Sequence, residues 1–444
     1  MSKRAATTNG KQETRKTEAT KTETTIAMTV ATQQLMLPLL LAFDATKKGL
    51  LAFVQQMGMA VLSELLAAEA AEIAGPKGKQ VRGRTHHHWG TARTPLSFGG
   101  RNVSIERPRV RARGKGTQKE VELPTIEALR EGDPMSARVT EQILAGVSTR
   151  GYARSLEPLD PTLDGRGASK SNASRALVDV TTEKLAAFVS RKLDDVDLVA
   201  MFIDGIVFAG HTMVVALGVT IDGTKVPLGL WGGSTENAVL ATELVQSLVD
   251  RGLRIEHSML FVIDGGKGLR KALRDVFGDR AIVQRCQVHK LRNIREHLPE
   301  ARRSYVARQM RDAYKSTTVG TAKKRLVQLA SWLESNGETS AAASLREGLD
   351  ETLTVLRLNL PKSLARTFST TNAIENMNGT IRRVTRNVKR WRGEAMVQRW
   401  VALSVAEAQR GFRRVKGHAD LPTLIAALRS PTTTVPLAET RKSA

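Results

Sequence analysis

The sequence predicts an α/β protein: a mixed five-stranded sheet with helices, interrupted by a helical segment and preceded by a mainly helical region. Three observations predict it. Between residues 196 and 289, apolar runs and helical patterns follow the order β-β-β-α-β-α-β. From 290 to 358 the periodicity is helical only. Ahead of the sheet, 31–74 and 125–193 read as helices around one β-hairpin segment. The chain has 444 residues, room for several domains at ~100–200 residues each.

Residues 1–26 are Lys, Thr, Glu, Ala and Gln without periodicity, and 1–30 is read as a disordered polar tail. In the helical segment 31–76, Leu50, Phe53, Met57, Val61 and Leu65 recur at helical spacing, and Gly75–Pro76 stops the helix. One helix, or two split near Lys47–Gly49, fits equally well. A basic segment follows, 77–123. Pro95–Phe98, Gly99–Gly100 and Asn102–Glu106 read as strand, turn and strand. Next, Arg107, Arg109, Arg111, Arg113, Lys115 and Lys119 meet no acid. That suits either a solvated loop or one tracking a DNA backbone.

Residues 124–195 read as a helix-turn-helix-like DNA-binding region. Ser136–Ala145 is one helix, Ser148–Gly151 a turn, and a second helix opens at Ser169, an N-cap residue type. Its first turns carry Ser169, Lys170, Asn172 and Arg175, side chains suited to a recognition helix in a groove. Ordinary surface helices share that composition.

The first part of the core spans 196–289. Leu198–Ile203 is a buried strand, His211–Ile221 a second, turning at Asp222–Gly223 into a third, Lys225–Trp231. A helix over Glu236–Arg251, a fourth strand Ser258–Ile263, a helix from Leu269 to Phe277 and a fifth strand Ala281–Arg285 complete it. An antiparallel meander joined to parallel units is the signature of an RNase H-like sheet. Residues 290–360 form a helical insertion, 361–415 the last part of the core with a helix pair over 371–412, and 416–444 a C-terminal tail.

Charge and chemistry narrow the function. Lys and Arg number 68 against 44 Asp and Glu, a net charge of +24, which suggests a polyanion such as nucleic acid as partner. A single cysteine excludes a disulfide framework and any multi-cysteine metal site, and suits a reducing cytosol. No run of about 18 consecutive apolar residues occurs, nor a secretory signal pattern, so a soluble intracellular protein is expected.

Two strands end on the same pattern. Leu198–Ile203 runs into Asp204–Gly205, and Met259–Ile263 into Asp264–Gly265. In the predicted order these strands are neighbours, so the two carboxylates meet on a rigid support. The third carboxylate is Glu375, in a helix that Thr370 or Thr371 caps. Three carboxylates can hold two divalent ions ~3.5–4 Å apart, one activating the attacking oxygen and one stabilising the leaving oxygen of a phosphoryl transfer. Glu375, Asn378, Arg382 and Arg386 share one helical face. Arg382, Arg383, Arg386, Lys389, Arg390 and Arg392 follow one another without an acid, and Arg382, Arg386, Lys389 and Arg390 are candidate DNA contacts. Taken singly, each carboxylate has a simpler explanation as a turn or helix-capping residue. Asp222 at a hairpin tip is one such case and is left out.

The chain resembles the bacterial Mutator-type insertion-sequence transposases, a DDE family with an RNase H-like core. The resemblance rests on Phe202–Ile206, Ala216–Val219, Leu228–Trp231, Ile263–Leu269, Gln284–Asn293 and Thr371–Asn378, and covers roughly 80–412. It implies that Asp204, Asp264 and Glu375 are the catalytic, metal-binding triad and that the cofactor is Mg²⁺, with Mn²⁺ as substitute. It implies as partners the element's own terminal inverted repeats and a target duplex. It further implies a helical insertion between the second Asp and the Glu. The expected setting is the bacterial cytoplasm, at the nucleoid, with a homo-oligomer on DNA. The family's Cys-x-x-His pair falls on Cys286 and His289. Two ligands do not make a structural zinc site, so the pair is read as packing or phosphate-proximal structure near the site.

Other signals are weaker. His86–His88 point different ways and lack a Cys or acidic partner close by; Gly265–Gly268 lack phosphate-loop spacing. A tyrosine recombinase needs a nucleophile toward the C-terminus, whereas the only tyrosines are Tyr152, Tyr305 and Tyr314. The remaining alternatives are a metal-dependent nuclease without strand transfer and an inactive DNA-binding regulator.

Overall fold

The structure, a computed structural model, describes residues 49–79, 83–113, 120–131, 134–208, 210–233 and 238–430. The expected tail 1–30, residues 31–48, Lys115, Lys119, Glu236 and residues 431–444 lie outside the described residues. The chain divides into two compact units: Met1–Val139 with Arg150–Ala173, and Thr140–Thr149 with Ser174–Ala444.

In the first unit a helix, Gly49–Ala74, packs on a long hairpin of β1 (His86–Phe98) and β2 (Arg101–Ala112). Leu66, Ala70 and Ala74 recur every fourth residue and meet Leu96, Ile105 and Val110. Gly99 and Gly100 both have positive φ, +56° and +80°, as the tight turn requires. Short strands β3 (Glu120–Val121) and β4 (Gly165–Arg166) flank β2. The basic run after Glu106 is therefore strand as far as Ala112, not loop. Two of its arginines are engaged at home: Arg107 and Arg109 lie 2.8 and 2.7 Å from Glu120, the first acid beyond the run. Arg111 lies over the Trp89 ring at 4.6 Å. The first turns of the Gly49–Ala74 helix leave Leu50, Val54 and Val61 exposed. By length and composition this helix could cross a membrane; among the described residues no other could.

The second unit is built on a five-stranded sheet, β5 (Leu198–Phe208), β6 (His211–Thr220), β7 (Lys225–Gly233), β8 (Met259–Ile263) and β9 (Ala281–Arg285). Its order is β7-β6-β5-β8-β9. β5, β6 and β7 are antiparallel neighbours, whereas β8 and β9 run parallel to β5. β5 is longer than the sequence suggests. Asp204 and Gly205 do not end it; they pair with Val215 and Val214 inside the ladder. The apolar residues Ile206 and Phe208 continue the alternation beyond them.

That alternation sorts side chains onto two faces. Met201 and Ile203 join Phe261 and Ile263 under the helices Ala238–Asp250 and Lys267–Phe277. Ala200, Phe202 and Ile206 join Leu260 and Val262 on the other face. Covering them are Phe368, the helices Asn372–Thr385 and Glu394–Arg410, and Leu421, Leu424 and Leu428. Residues 416–444 are thus not all tail: Leu421–Arg429 is a helix whose leucines complete this core. Helices Gln287–Glu296, Glu300–Tyr314, Val319–Ser335 and Thr339–Arg346 fill the stretch after β9 around a core of their own. β9, at the end of the sheet order, is covered by residues 352–355: Thr354 Oγ1 donates to Val283 O, and the Gln284 side chain donates through Nε2 to Thr352 O and accepts through Oε1 from Val355 N.

Candidate active site

Asp204 has the same parity on β5 as Phe202 and Ile206, so it faces the Asn372–Thr385 helix. The last parallel pair of β5 and β8 is Ile203 with Ile263, which sets Asp204 and Asp264 side by side at the next step. Asp264 lies just past β8. There Gly265 takes φ +107° and Gly266 N donates to Asp264 Oδ1 at 3.0 Å, turning the chain into the next helix. Glu375 lies in the first turn of the Asn372–Thr385 helix. One turn on, Asn378 Nδ2 donates to Asp204 Oδ2 at 2.7 Å.

Thr371 starts this helix but does not cap it as expected. Its hydroxyl turns inward instead, donating to Glu375 Oε1 at 2.7 Å and lying 3.3 Å from both Cys286 Sγ and His289 Nδ1. His289 Nε2 is 3.6 Å from Glu375 Oε1. The Cys286–His289 pair, remote from Glu375 in sequence, is thus part of its surroundings. Cys286 follows β9, its N–H bonded to Ile263 O, and its Sγ accepts from His289 N. Donor atoms of Cys286, His289 and Glu375 lie within 4.8 Å of one another.

Burial, then the facing Asp264 carboxylate, pushes Asp204 up to about 6, with a smaller push from Glu375. His289 and the Gly205 N–H act against this. His289 is raised by its hydrogen bond to Cys286 and by the Asp204 and Glu375 charges, against its burial. Burial alone would raise the Cys286 thiol; hydrogen bonds from His289 and Thr371 outweigh it and lower it. A hard divalent cation fits the carboxylate pair Asp204 and Asp264, whereas the group around Glu375 also offers a sulfur and a nitrogen donor. Such a cation takes oxygen ligands, and its charge relieves the repulsion between Asp204 and Asp264. Asn378, whose Nδ2 donates to Asp204, leaves its Oδ1 buried without a hydrogen-bond partner.

A sequence profile described as "Transposase, Mutator family" matches residues 29–415. The chain belongs to the Mutator family of transposases. It is similar to the "Probable transposase for insertion sequence element" of Corynebacterium diphtheriae, with 27% identity over 54% of this chain and 71% of that protein. The Lactococcus lactis transposase for insertion sequence element IS905 is 25% identical over 82% of this chain and 90% of its own length. The Rhizobium meliloti transposase for ISRM3 is 29% identical over 45% of this chain, and the match spans about half of that protein, 49%.

The other candidate residues of this transposase lie on the Asn372–Thr385 helix, in the segment that follows it, and at the start of the helix Lys170–Ser190. Arg382 is exposed on the Asn372–Thr385 helix and Arg386 caps its end, also exposed. Lys389 and Arg390 are exposed but lie beyond the helix. The expected arginine-rich helix is therefore shorter than its charge run, because residues 387–393 are irregular. Ser169 does cap the helix Lys170–Ser190, accepting from Asn172 N at 3.3 Å. Ser169, Lys170 and Arg175 are exposed and Asn172 is half-buried. Asn372–Thr385 thus carries one group that sequence reading placed on the right face without a role, Asn378. Only its contact with Asp204 reveals one.

Proposed function

We propose that this transposase is an Mg²⁺-dependent DDE enzyme with an RNase H-like core. It binds the terminal inverted repeats of its own element, cleaves there and joins the ends to a target duplex, working as an oligomer on DNA in the bacterial cytoplasm. The observation that carries the reading is the pairing of β5 and β8, which puts Asp204 beside Asp264 on the face covered by the Glu375 helix. The strand order β7-β6-β5-β8-β9 supports the core assignment, and the helical stretch between β9 and Glu375 supports the insertion.

In this reading Asp204, Asp264 and Glu375 hold Mg²⁺, Mn²⁺ substituting. Bound there, the metal supplies an activated attacking oxygen and charge for the leaving oxygen of an in-line displacement. The chain's part is placement. β5 and β8 fix the two aspartates on rigid backbone, and Thr371 orients Glu375 through one carboxylate oxygen. Arg382 and Arg386, and further off Lys389 and Arg390, contact phosphates without reading bases. Ser169, Lys170, Asn172 and Arg175 contact the element's ends.

The test is to incubate the purified chain with duplexes carrying the DNA ends that flank its gene, with Mg²⁺ or with chelator. Metal-dependent nicks at those ends and products joined to a second duplex are expected. Cleavage without joining would make it a nuclease; binding without cleavage would make it a regulator. We expect Arg382→Ala with Arg386→Ala to slow cleavage and joining without altering the preference for end sequence. The double variant should also flatten the slope of log affinity against log salt by roughly one to two units. A salt titration beside the control Lys323→Ala/Lys324→Ala checks it, and wild-type slope and rate would make the run mere surface charge.

A further inference from the structure

Asn378 lies on the Asn372–Thr385 helix one turn beyond Glu375, with 2% of its surface exposed. Its amide has two ends. The Nδ2 end donates to Asp204 Oδ2 at 2.7 Å. This orientation is the chemically required one, since an ionised carboxylate only accepts. The Oδ1 end is then fixed by geometry, because both atoms share one carbon. It is buried without a hydrogen-bond partner. Leaving a buried carbonyl oxygen unpaired is costly, and such exceptions cluster where a water or ion completes the set. The amide has no role as a helix cap, being mid-helix, nor as packing, where an apolar residue would serve without the cost.

We infer that Asn378 is a positioning residue of the metal site: Nδ2 holds the Asp204 carboxylate in place, and Oδ1 accepts a hydrogen bond from the hydration shell of the divalent cation. The inference rests on the three-carboxylate reading proposed above. Groups that orient metal ligands in this way are worth about 10–100-fold in metal affinity. Its position three residues after Glu375 gives one helix two tasks: Glu375 supplies a ligand, and Asn378 sets the angle of another that comes from β5.

The experiment measures Mn²⁺ binding to the full chain, free of DNA, by the electron paramagnetic resonance signal of unbound Mn²⁺. Thermal unfolding with and without Mn²⁺ runs beside it. Asn378→Leu, close in volume but without polar atoms, is expected to weaken Mn²⁺ binding about tenfold or more. Asn378→Asp sets a new carboxylate against Asp204. Its unfolding midpoint should fall without metal, and Mn²⁺ should raise it by more than it raises wild type. Asn378→Leu binding Mn²⁺ within about twofold of wild type, or an Asn378→Asp deficit that Mn²⁺ leaves in place, would overturn the inference. If Asn378→Leu does not fold, the Mn²⁺ response of Asn378→Asp decides alone. Asp204→Asn separates the two readings. If it removes Mn²⁺ binding while Asn378→Leu keeps it, only the role of Asn378 falls. If wild type binds no Mn²⁺, or Asp204→Asn binds as wild type does, the metal reading falls and this inference with it.

Discussion

Asp204→Asn, Asp264→Asn and Glu375→Gln are each expected to cut DNA cleavage by at least about a thousandfold. That is the rate equivalent of the several kcal/mol a metal-held transition state gains. DNA binding should survive, because the proposed DNA contacts are made by other residues. Asp204→Asn carries a second signature. Its carboxyl is raised to about 6 by burial and by Asp264, so at neutral pH the folded chain carries a charge it would rather shed. The stability this group gives is full below its unfolded value near 4 and is lost as pH rises through about 6. Without metal, Asp204→Asn should therefore unfold at a higher temperature than wild type at pH 7.5. The gap should shrink as pH falls below about 6. Cleavage assays and unfolding scans across pH check both. Cleavage within about tenfold of wild type would remove that residue from the site.

Gly265→Ala is expected to be the most damaging single methyl in the chain's centre. Gly265 has φ +107°, a conformation that L side chains rarely adopt, and an added Cβ would meet Arg285 Nε at 1.9 Å and Cζ at 2.5 Å. That guanidinium cannot swing away freely. Its side chain is 7% exposed, and Nη1 donates to Glu347 O at 3.0 Å. Backbone strain and overpacking together cost roughly 2–5 kcal/mol. The displaced backbone is the one that carries Asp264, so cleavage should fall with stability. Gly278→Ala is the control: φ is +57° but no atom lies within 4 Å of its Cβ position. It should cost only about 1 kcal/mol and leave the site intact. Denaturant titration and cleavage rates of the two variants check this, and equal losses would show that backbone strain alone governs Gly265.

Strands are legible where a short apolar run, buried on both faces, is bounded by turn signals. Ala281–Arg285 is bounded as expected, and the strand before Asp264 differs by one residue at its start. The strand through Asp204 runs past the turn that Asp-Gly signals locally. Pairing of Gly205 with Val214 overrides that signal once β6 is in place. The C-terminal helix Leu421–Arg429 is illegible in the sequence for a similar reason: three leucines on a short segment are a weak signal until a core exists to receive them.

By itself the sequence determined the charge, the β-β-β-α-β-α-β order, the motifs of the Mutator family and the candidates Asp204, Asp264 and Glu375. These are local or compositional properties, readable from spacing and residue type. The tertiary structure alone decided which side chains act on which. It gave Thr371 to Glu375 rather than to the helix end, brought Cys286 and His289 to the same carboxylate, spent Arg107 and Arg109 on Glu120, and set Asn378 against Asp204. Asn378 and Asp204 are 174 residues apart in sequence. No local rule reaches that far, because such contacts exist only after β5 is covered by the Asn372–Thr385 helix and their burial makes each hydrogen bond obligatory.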